Sequence, residues 1–316
     1  MEVNALNTGL GFVFPGQGSQ KIGMLSELAN KYPIITKTFL EASDVLSYDL
    51  WDLSQNGTKE DIMLTERTQP LLLAASVALW RVWVKEGGSM PQLMAGHSLG
   101  EWSALVCSGV VEFCDAVQLV KNRGAYMQEA VPFGKGAMAA VIGLNDEAVK
   151  VVCAESCKGE EVTPVNFNSP GQIVIAGNID AVNRAMEGCR EAGAKRVLPI
   201  PVSAPFHTNL MKPAAEKLNE DIKKVKFRSP HTLIVHNVSA KTETDPEIIK
   251  ELMIEQIYRP VLWVDCINAM SNKGVSSLVE CGAGKVLGGL CKRIDSSFKI
   301  HSTEDVSSLS LALSGL

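Results

Sequence analysis

The run Gly96-His97-Ser98-Leu99-Gly100 constrains the fold of this 316-residue chain more than any other stretch. It follows the apolar residues Leu93-Met94-Ala95 and precedes Glu101-Trp102-Ser103-Ala104-Leu105. That order predicts a buried strand, a tight turn and a helix. Glycines in the turn permit unusual backbone angles and close packing without a Cβ. A serine at such a corner has its hydroxyl pushed outward, and the amides at the helix start point toward the same spot. A weak alcohol becomes a nucleophile in this way, and acyl transfer is the chemistry it suits. A serine that merely caps a helix is the plainer alternative.

The rest of the chain alternates strand and helix signals around this corner. Leu10 to Phe14 predicts a buried strand that feeds the loop Pro15-Gly16-Gln17-Gly18. Pro70 is expected at the first position of a helix that ends at Gly87-Gly88, and Phe113 to Ala130 predicts another helix. Strands are expected at Leu233–Asn237, Val275–Glu280 and Phe298–His301, and a helix at Glu247–Tyr258. Between about Gly134 and Ser203 the order reads β-α-β-β-α-β, the ferredoxin-like pattern, with its last strand at Ala194–Leu198. The expected architecture is therefore one α/β domain with a mainly parallel sheet, residues 1–133 and 204–316, carrying an inserted ferredoxin-like subdomain at 134–203.

Composition excludes some functions. A formal charge of −5 argues against a nucleic-acid partner, though a local basic patch is compatible with it. The eight cysteines are scattered, with no Cys-x-x-Cys, and most lie in apolar runs as small core residues do. No metal site is expected. Residues 1–9 lack the basic and apolar parts of a secretory signal, so a cytoplasmic protein is expected. Pro70 to Trp80, the longest uncharged apolar run, is too short to span a membrane.

A nucleophilic serine needs a base. Of the five histidines, His97 adjoins the serine and should point away from it, while His231 and His236 flank a strand. His207 follows the rigid segment Ala204-Pro205-Phe206, and the late His301 would suit an ordinary α/β-hydrolase. Asp115, Asp146 and Asp180 all read as helix-start residues, so no carboxylate stands out to orient the base. A dyad, with an amide or a main-chain carbonyl holding the histidine, is the consistent reading. Arg123 lies within the apolar 113–130 helix, one turn from Met127. It offers a planar fork for a carboxylate, although an arginine there more often faces solvent. The amides of Gln17 and Leu99 could form an oxyanion hole. Neither glycine-rich loop meets a nucleotide fingerprint: Lys21 stands where the first loop needs a third glycine. Around Gly282-Ala283-Gly284-Lys285, Val279 and Val286 replace the residues a phosphate loop requires.

Six segments taken in order resemble the malonyl-CoA:acyl carrier protein transacylases, the acyltransferases that load malonyl groups in fatty-acid synthesis. They are Phe14-Pro15-Gly16-Gln17-Gly18-Ser19-Gln20, Gly96-His97-Ser98-Leu99-Gly100-Glu101, and Arg123-Gly124 with Met127-Gln128. The others are Asn166-Phe167-Asn168-Ser169-Pro170-Gly171-Gln172, Ser203-Ala204-Pro205-Phe206-His207-Thr208, and Gln256-Ile257-Tyr258-Arg259-Pro260-Val261 with Trp263. The resemblance implies a hydrolase-like α/β domain with a ferredoxin-like subdomain. It implies Ser98 as nucleophile, His207 as base, Gln256 orienting His207 through its main-chain carbonyl, and Arg123 binding the malonate carboxylate. The Gln17 and Leu99 amides would hold the oxyanion, with Met127 and Asn168 in support and no cofactor. Malonyl-CoA and an acidic acyl carrier protein are the implied partners, the latter docking on a basic patch drawn from Lys195, Arg196, Lys212, Lys217, Lys292 and Arg293. The alternatives are an esterase or thioesterase using His301, and a carrier-binding module without activity.

Overall fold

A computed structural model describes residues 4–202 and 204–316. Ser203, at the expected subdomain boundary and at the head of the histidine segment, lies outside the described residues. The described residues form two sheets. Five strands make a wholly parallel sheet: β1 (Leu6–Phe14), β2 (Met90–Gly96), β7 (Leu233–Val235), β8 (Ser277–Glu280) and β9 (Lys299–Ser302), in the order β7-β2-β1-β8-β9. Four strands make an antiparallel sheet: β3 (Gly136–Ile142), β4 (Val162–Ser169), β5 (Gln172–Asn178) and β6 (Arg196–Ile200), in the order β4-β5-β3-β6. That is the ferredoxin-like order, and helices Asp146–Ser156 and Ile179–Glu191 supply its two crossovers.

The middle of the parallel sheet is buried on both faces, which is why its central strand reads as an unbroken apolar run rather than an alternating one. Leu10 to Phe14 of β1 are all buried. Phe12 meets Trp80 and Trp83 edge-on, each ring centroid 5.2 Å away, from the almost fully buried helix Thr65–Lys85. Pro70 is not at the start of that helix but inside it. The helix begins five residues earlier, because Thr65, Thr68 and Gln69 are buried on its inner face and Gln69 reaches the site, and this outweighs the one backbone donor that proline lacks. At the other end Gly87, with φ 80°, closes the helix, its amide bonding the Val84 carbonyl at 3.2 Å.

Further boundaries differ from expectation: β1 starts at Leu6 rather than Leu10, β8 at Ser277 rather than Val275, and β9 runs Lys299–Ser302 rather than Phe298–His301. Three more differ for a local reason. The last strand of the antiparallel sheet starts at Arg196 rather than Ala194, because Ala194 is still bonded to the Cys189 carbonyl in the helix-closing turn after Gly193. β7 stops at Val235, since His236 and Asn237 leave the ladder to bond buried groups behind Ser98. Helix Pro246–Glu255 ends short of Tyr258, and Gln256, its capping residue, carries a carbonyl used elsewhere. The segment after it pairs with β4: the Val261 amide donates to the Val165 carbonyl at 2.8 Å and the Phe167 amide to the Val261 carbonyl at 3.0 Å. Among the described residues no helix is long and apolar enough to cross a membrane.

Candidate active site

Three glycines make the corner. A Cβ at Gly96 would lie 1.9 Å from the Gly100 carbonyl carbon, one at Gly100 2.0 Å from the Phe14 carbonyl oxygen, and one at Gly16 2.5 Å from the His97 carbonyl oxygen. β1, the turn after β2 and the start of helix Leu99–Cys107 are thus pressed backbone to backbone. Ser98 takes φ 51° and ψ −105°, a conformation costly for a residue with a Cβ, and its side chain makes no capping bond. Its amide donates instead to Asn237 Oδ1 at 2.8 Å, while Asn237 Nδ2 donates to the Gly96 carbonyl at 2.7 Å. The hydroxyl is left free to meet other partners.

The principal one is His207, whose Nε2 lies 2.9 Å from Ser98 Oγ. His207 Nδ1 lies 2.7 Å from the main-chain oxygen of Gln256. A carbonyl only accepts, so Nδ1 carries the proton and Nε2 presents a lone pair to the serine hydroxyl. The carbonyl is available because it belongs to the C-terminal turn of its helix, where acceptors lack partners. Burial, and secondarily the Arg123 charge, push the His207 pKa down to about 3, so the imidazole is neutral at physiological pH. His207 itself has φ 64°.

Arg123 is 1 % exposed and so does not face solvent. It donates through Nη1 to Gln69 Oε1 at 2.7 Å, and through Nη2 to Gln256 Oε1 at 3.0 Å and to Ser98 Oγ at 3.2 Å. Its direct partners are thus neutral, and its Nε has no partner. Burial lowers its pKa to about 10, with the nearby Glu101 charge opposing the shift, and the guanidinium stays protonated. A half-open cleft of about 220 Å³ lies over these groups, lined also by Gln17, Leu99, Met127, Asn166 and Phe206.

Three other histidines are engaged elsewhere. His97 turns from Ser98 toward Asn168, its Nε2 2.7 Å from Asn168 Oδ1, and packs on Trp263. His236 is buried against Glu101. His301 stands on β9, three strands from β2 and so roughly 14 Å across the sheet, where it lines a separate cavity with Glu280 and Lys285. The structure therefore brings together Ser98, His207, Arg123 and Gln256, with Gln17, Leu99 and Met127 around the cavity and Asn168 one contact away. Sequence reasoning missed Gln69, Glu101, His236 and Asn237. The one signal for Glu101 was a carboxylate set in an otherwise small and apolar stretch. Gln69 offered only a polar residue in a wholly buried helical run. The basic residues considered for docking are all exposed, but Lys217 is paired with Glu129 at 3.0 Å and Arg293 donates to Gln172 at 2.6 Å. Among the described residues no cluster of three or more His, Cys, Asp or Glu could hold a metal ion.

The corner, the neutral imidazole and the buried guanidinium on this α/β frame fit an acyl transferase, and the acyl transferase domain family model matches residues 11–293. A relative from Salmonella typhimurium, a malonyl CoA-acyl carrier protein transacylase, is 54 % identical over 306 residues, 97 % of this chain and 99 % of its own length. One of the same name from Bacillus subtilis is 44 % identical, covering 97 % of each. The crystal structure of an acyl carrier protein S-malonyltransferase from Vibrio cholerae superposes with a TM-score of 0.94 at 55 % identity, over 96 % of this chain and 99 % of that one. A malonyl-transacylase solved in complex with its type II PKS acyl-carrier protein gives 0.96 at 51 % identity, over 97 % and 99 %. The chain belongs to the malonyl CoA-acyl carrier protein transacylase family.

Proposed function

We propose that this protein transfers malonyl groups from malonyl-CoA to the phosphopantetheine thiol of acyl carrier protein, through an ester on Ser98, in fatty-acid synthesis. One relationship carries the reading: Arg123 Nη2 lies 3.2 Å from the same hydroxyl that His207 contacts at 2.9 Å. A buried cation without a carboxylate partner beside a nucleophile suits an acyl group that brings its own carboxylate.

His207 Nε2 takes the Ser98 proton as Oγ forms a bond to the thioester carbonyl carbon. The oxyanion is held by the Gln17 and Leu99 amides, each contributing about 3 kcal/mol to lowering the barrier. As the C–S bond breaks, the imidazolium gives its proton to the CoA sulfur. The carrier thiol then attacks the malonyl ester, with His207 removing its proton and returning one to Ser98, a ping-pong exchange. Malonate, once bound, draws Arg123 away from Ser98 Oγ, so the resting contact marks where the carboxylate arrives. The parallel-sheet portion, residues 1–133 and 204–316, supplies the chemistry. The antiparallel portion, 134–203, walls the cavity through Met138, Asn166 and Ile200, with Asn168 steadying His97. The carrier approaches across exposed basic residues such as Lys195, Arg196 and Lys212, in the cytoplasm. The test is intact-mass analysis after mixing with malonyl-CoA and acetyl-CoA in competition. A malonyl adduct in clear excess is expected, and an acetyl adduct in equal or greater yield overturns the reading.

A further inference from the structure

Glu101 is a carboxylate with 1 % exposure, three residues into the turn that begins at Ser98. At that helix position a glutamate ordinarily reaches back to the amide of the capping residue. Here Asn237 occupies the Ser98 amide, and Glu101 turns inward. Its Oε1 accepts from His236 Nδ1 at 2.7 Å, and its Oε2 accepts from Gln256 Nε2 at 2.6 Å and from the Asn237 amide at 3.3 Å. Gln256 Nε2 gives its second hydrogen to the Ser98 carbonyl at 2.9 Å. Both hydrogens of that side-chain amide are thus committed, and Gln256 Oε1 is left facing Arg123 Nη2 at 3.0 Å. The flipped amide would press an NH2 group against the guanidinium and a carbonyl oxygen against the carboxylate.

We infer that Glu101 is a positioning residue. Its carboxylate locks the Gln256 amide in the single orientation that holds Arg123 beside Ser98, and through it sets the preference for an acyl group bearing a carboxylate. The inference rests on the role given to Arg123 above. A buried charge is costly unless fully bonded, and a purely architectural glutamate at this depth has apolar replacements of similar volume. Two features argue for more than architecture. The 2.6 Å contact goes to the residue that touches both Arg123 and His207. Glu101 also supplies negative charge near Arg123 without contacting it, so the guanidinium keeps donors for a ligand.

The test is Glu101→Gln, close in shape but with one acceptor and two new hydrogens, assayed as the full chain with malonyl-CoA and acetyl-CoA. Expected are a loss of about tenfold or more in malonyl kcat/KM and an equal fall in the malonyl-to-acetyl ratio. Added to Gln256→Ala, the same change should cost no more than about twofold further, since residues acting as a unit are not additive. A ratio unchanged from wild type, or an undiminished loss on the Gln256→Ala background, overturns the inference. Should the variant not fold, selective 15N-glutamine labelling of the wild type answers instead. The Gln256 side-chain NH2 should be shifted downfield and slow to exchange, and fast exchange overturns the lock. A wild-type enzyme without malonyl preference would overturn the functional reading itself, a separate outcome.

Discussion

His207 Nε2 and Ser98 Oγ stand 2.9 Å apart although 109 residues separate them in the chain. Ser98→Ala should leave the fold intact, because the hydroxyl caps nothing, and should abolish the acyl-enzyme. The check is the absence of an acid-stable malonyl adduct by mass spectrometry. Labelling that persists in the variant would move the nucleophile elsewhere.

Arg123→Ala should lose malonyl transfer by a factor of a hundred or more, corresponding to about 3 kcal/mol for a buried charged contact. Relative use of acetyl-CoA should rise. An unchanged ratio of the two in a competition assay would reject the assigned role.

His207 has its pKa pushed down to about 3 by burial and the Arg123 charge. As the proposed base it is in its neutral form above that value, so kcat/KM should stay flat from pH 8 down through pH 5 rather than fall near the ordinary 6.5. A bound malonyl carboxylate offsets Arg123, so the acid limb of kcat should sit at higher pH than that of kcat/KM. A kcat/KM profile that halves near pH 6.5 would count against this arrangement.

Gly100→Ala would put a Cβ 2.0 Å from the Phe14 carbonyl oxygen, a backbone atom that cannot step aside. A loss of at least about 3 kcal/mol is expected, in the range of severe core overpacking, read as a lowered Tm with activity lost. Gly289 in helix Val286–Ile294 has nothing within 4 Å, and Gly289→Ala should raise Tm, since alanine is favoured in helices by about 1 kcal/mol.

Glu280 caps that same helix, accepting from the Leu287 and Gly288 amides at 3.0 and 2.7 Å, yet burial raises its pKa to about 7. The folded state thus holds this proton more tightly than the unfolded one. Its contribution to stability is complete below pH 4.5 and is lost as pH climbs through 7. Denaturant melts of wild type and Glu280→Gln should diverge across that window, with the wild type losing stability relative to the variant. Parallel curves would exclude the effect.

Much of this molecule was legible because its signals are local. The corner at Ser98, the helix carrying Arg123 and the β-α-β-β-α-β order each depend on residues close in sequence. From the residues alone the histidine was one of two, because choosing His207 over His301 depends on strand order, which spacing along the chain does not encode; only the resemblance carried by residues 203–208 implied His207. The misplaced start of the Thr65–Lys85 helix has the same origin: burial of Thr65, Thr68 and Gln69 overrode the usual preference of proline for a first turn. Gln69, Glu101, His236 and Asn237 escaped notice because each is meaningful only through a partner more than fifty residues away.

The short pairing of Val261 with Val165 and Phe167 ties the antiparallel sheet to the stretch that immediately follows Gln256. Any rocking of that sheet, when a bulky carrier arm enters or leaves, would tug on the very carbonyl that steadies the imidazole. Opening of the cleft and readiness of the base would then be one mechanical event, carried by the five residues from Ile257 to Val261 rather than by a flexible linker. Matched hydrogen-exchange rates at the Phe167 and Val261 amides, slowed together on acylation, would be its signature, and independent rates would dissolve the link.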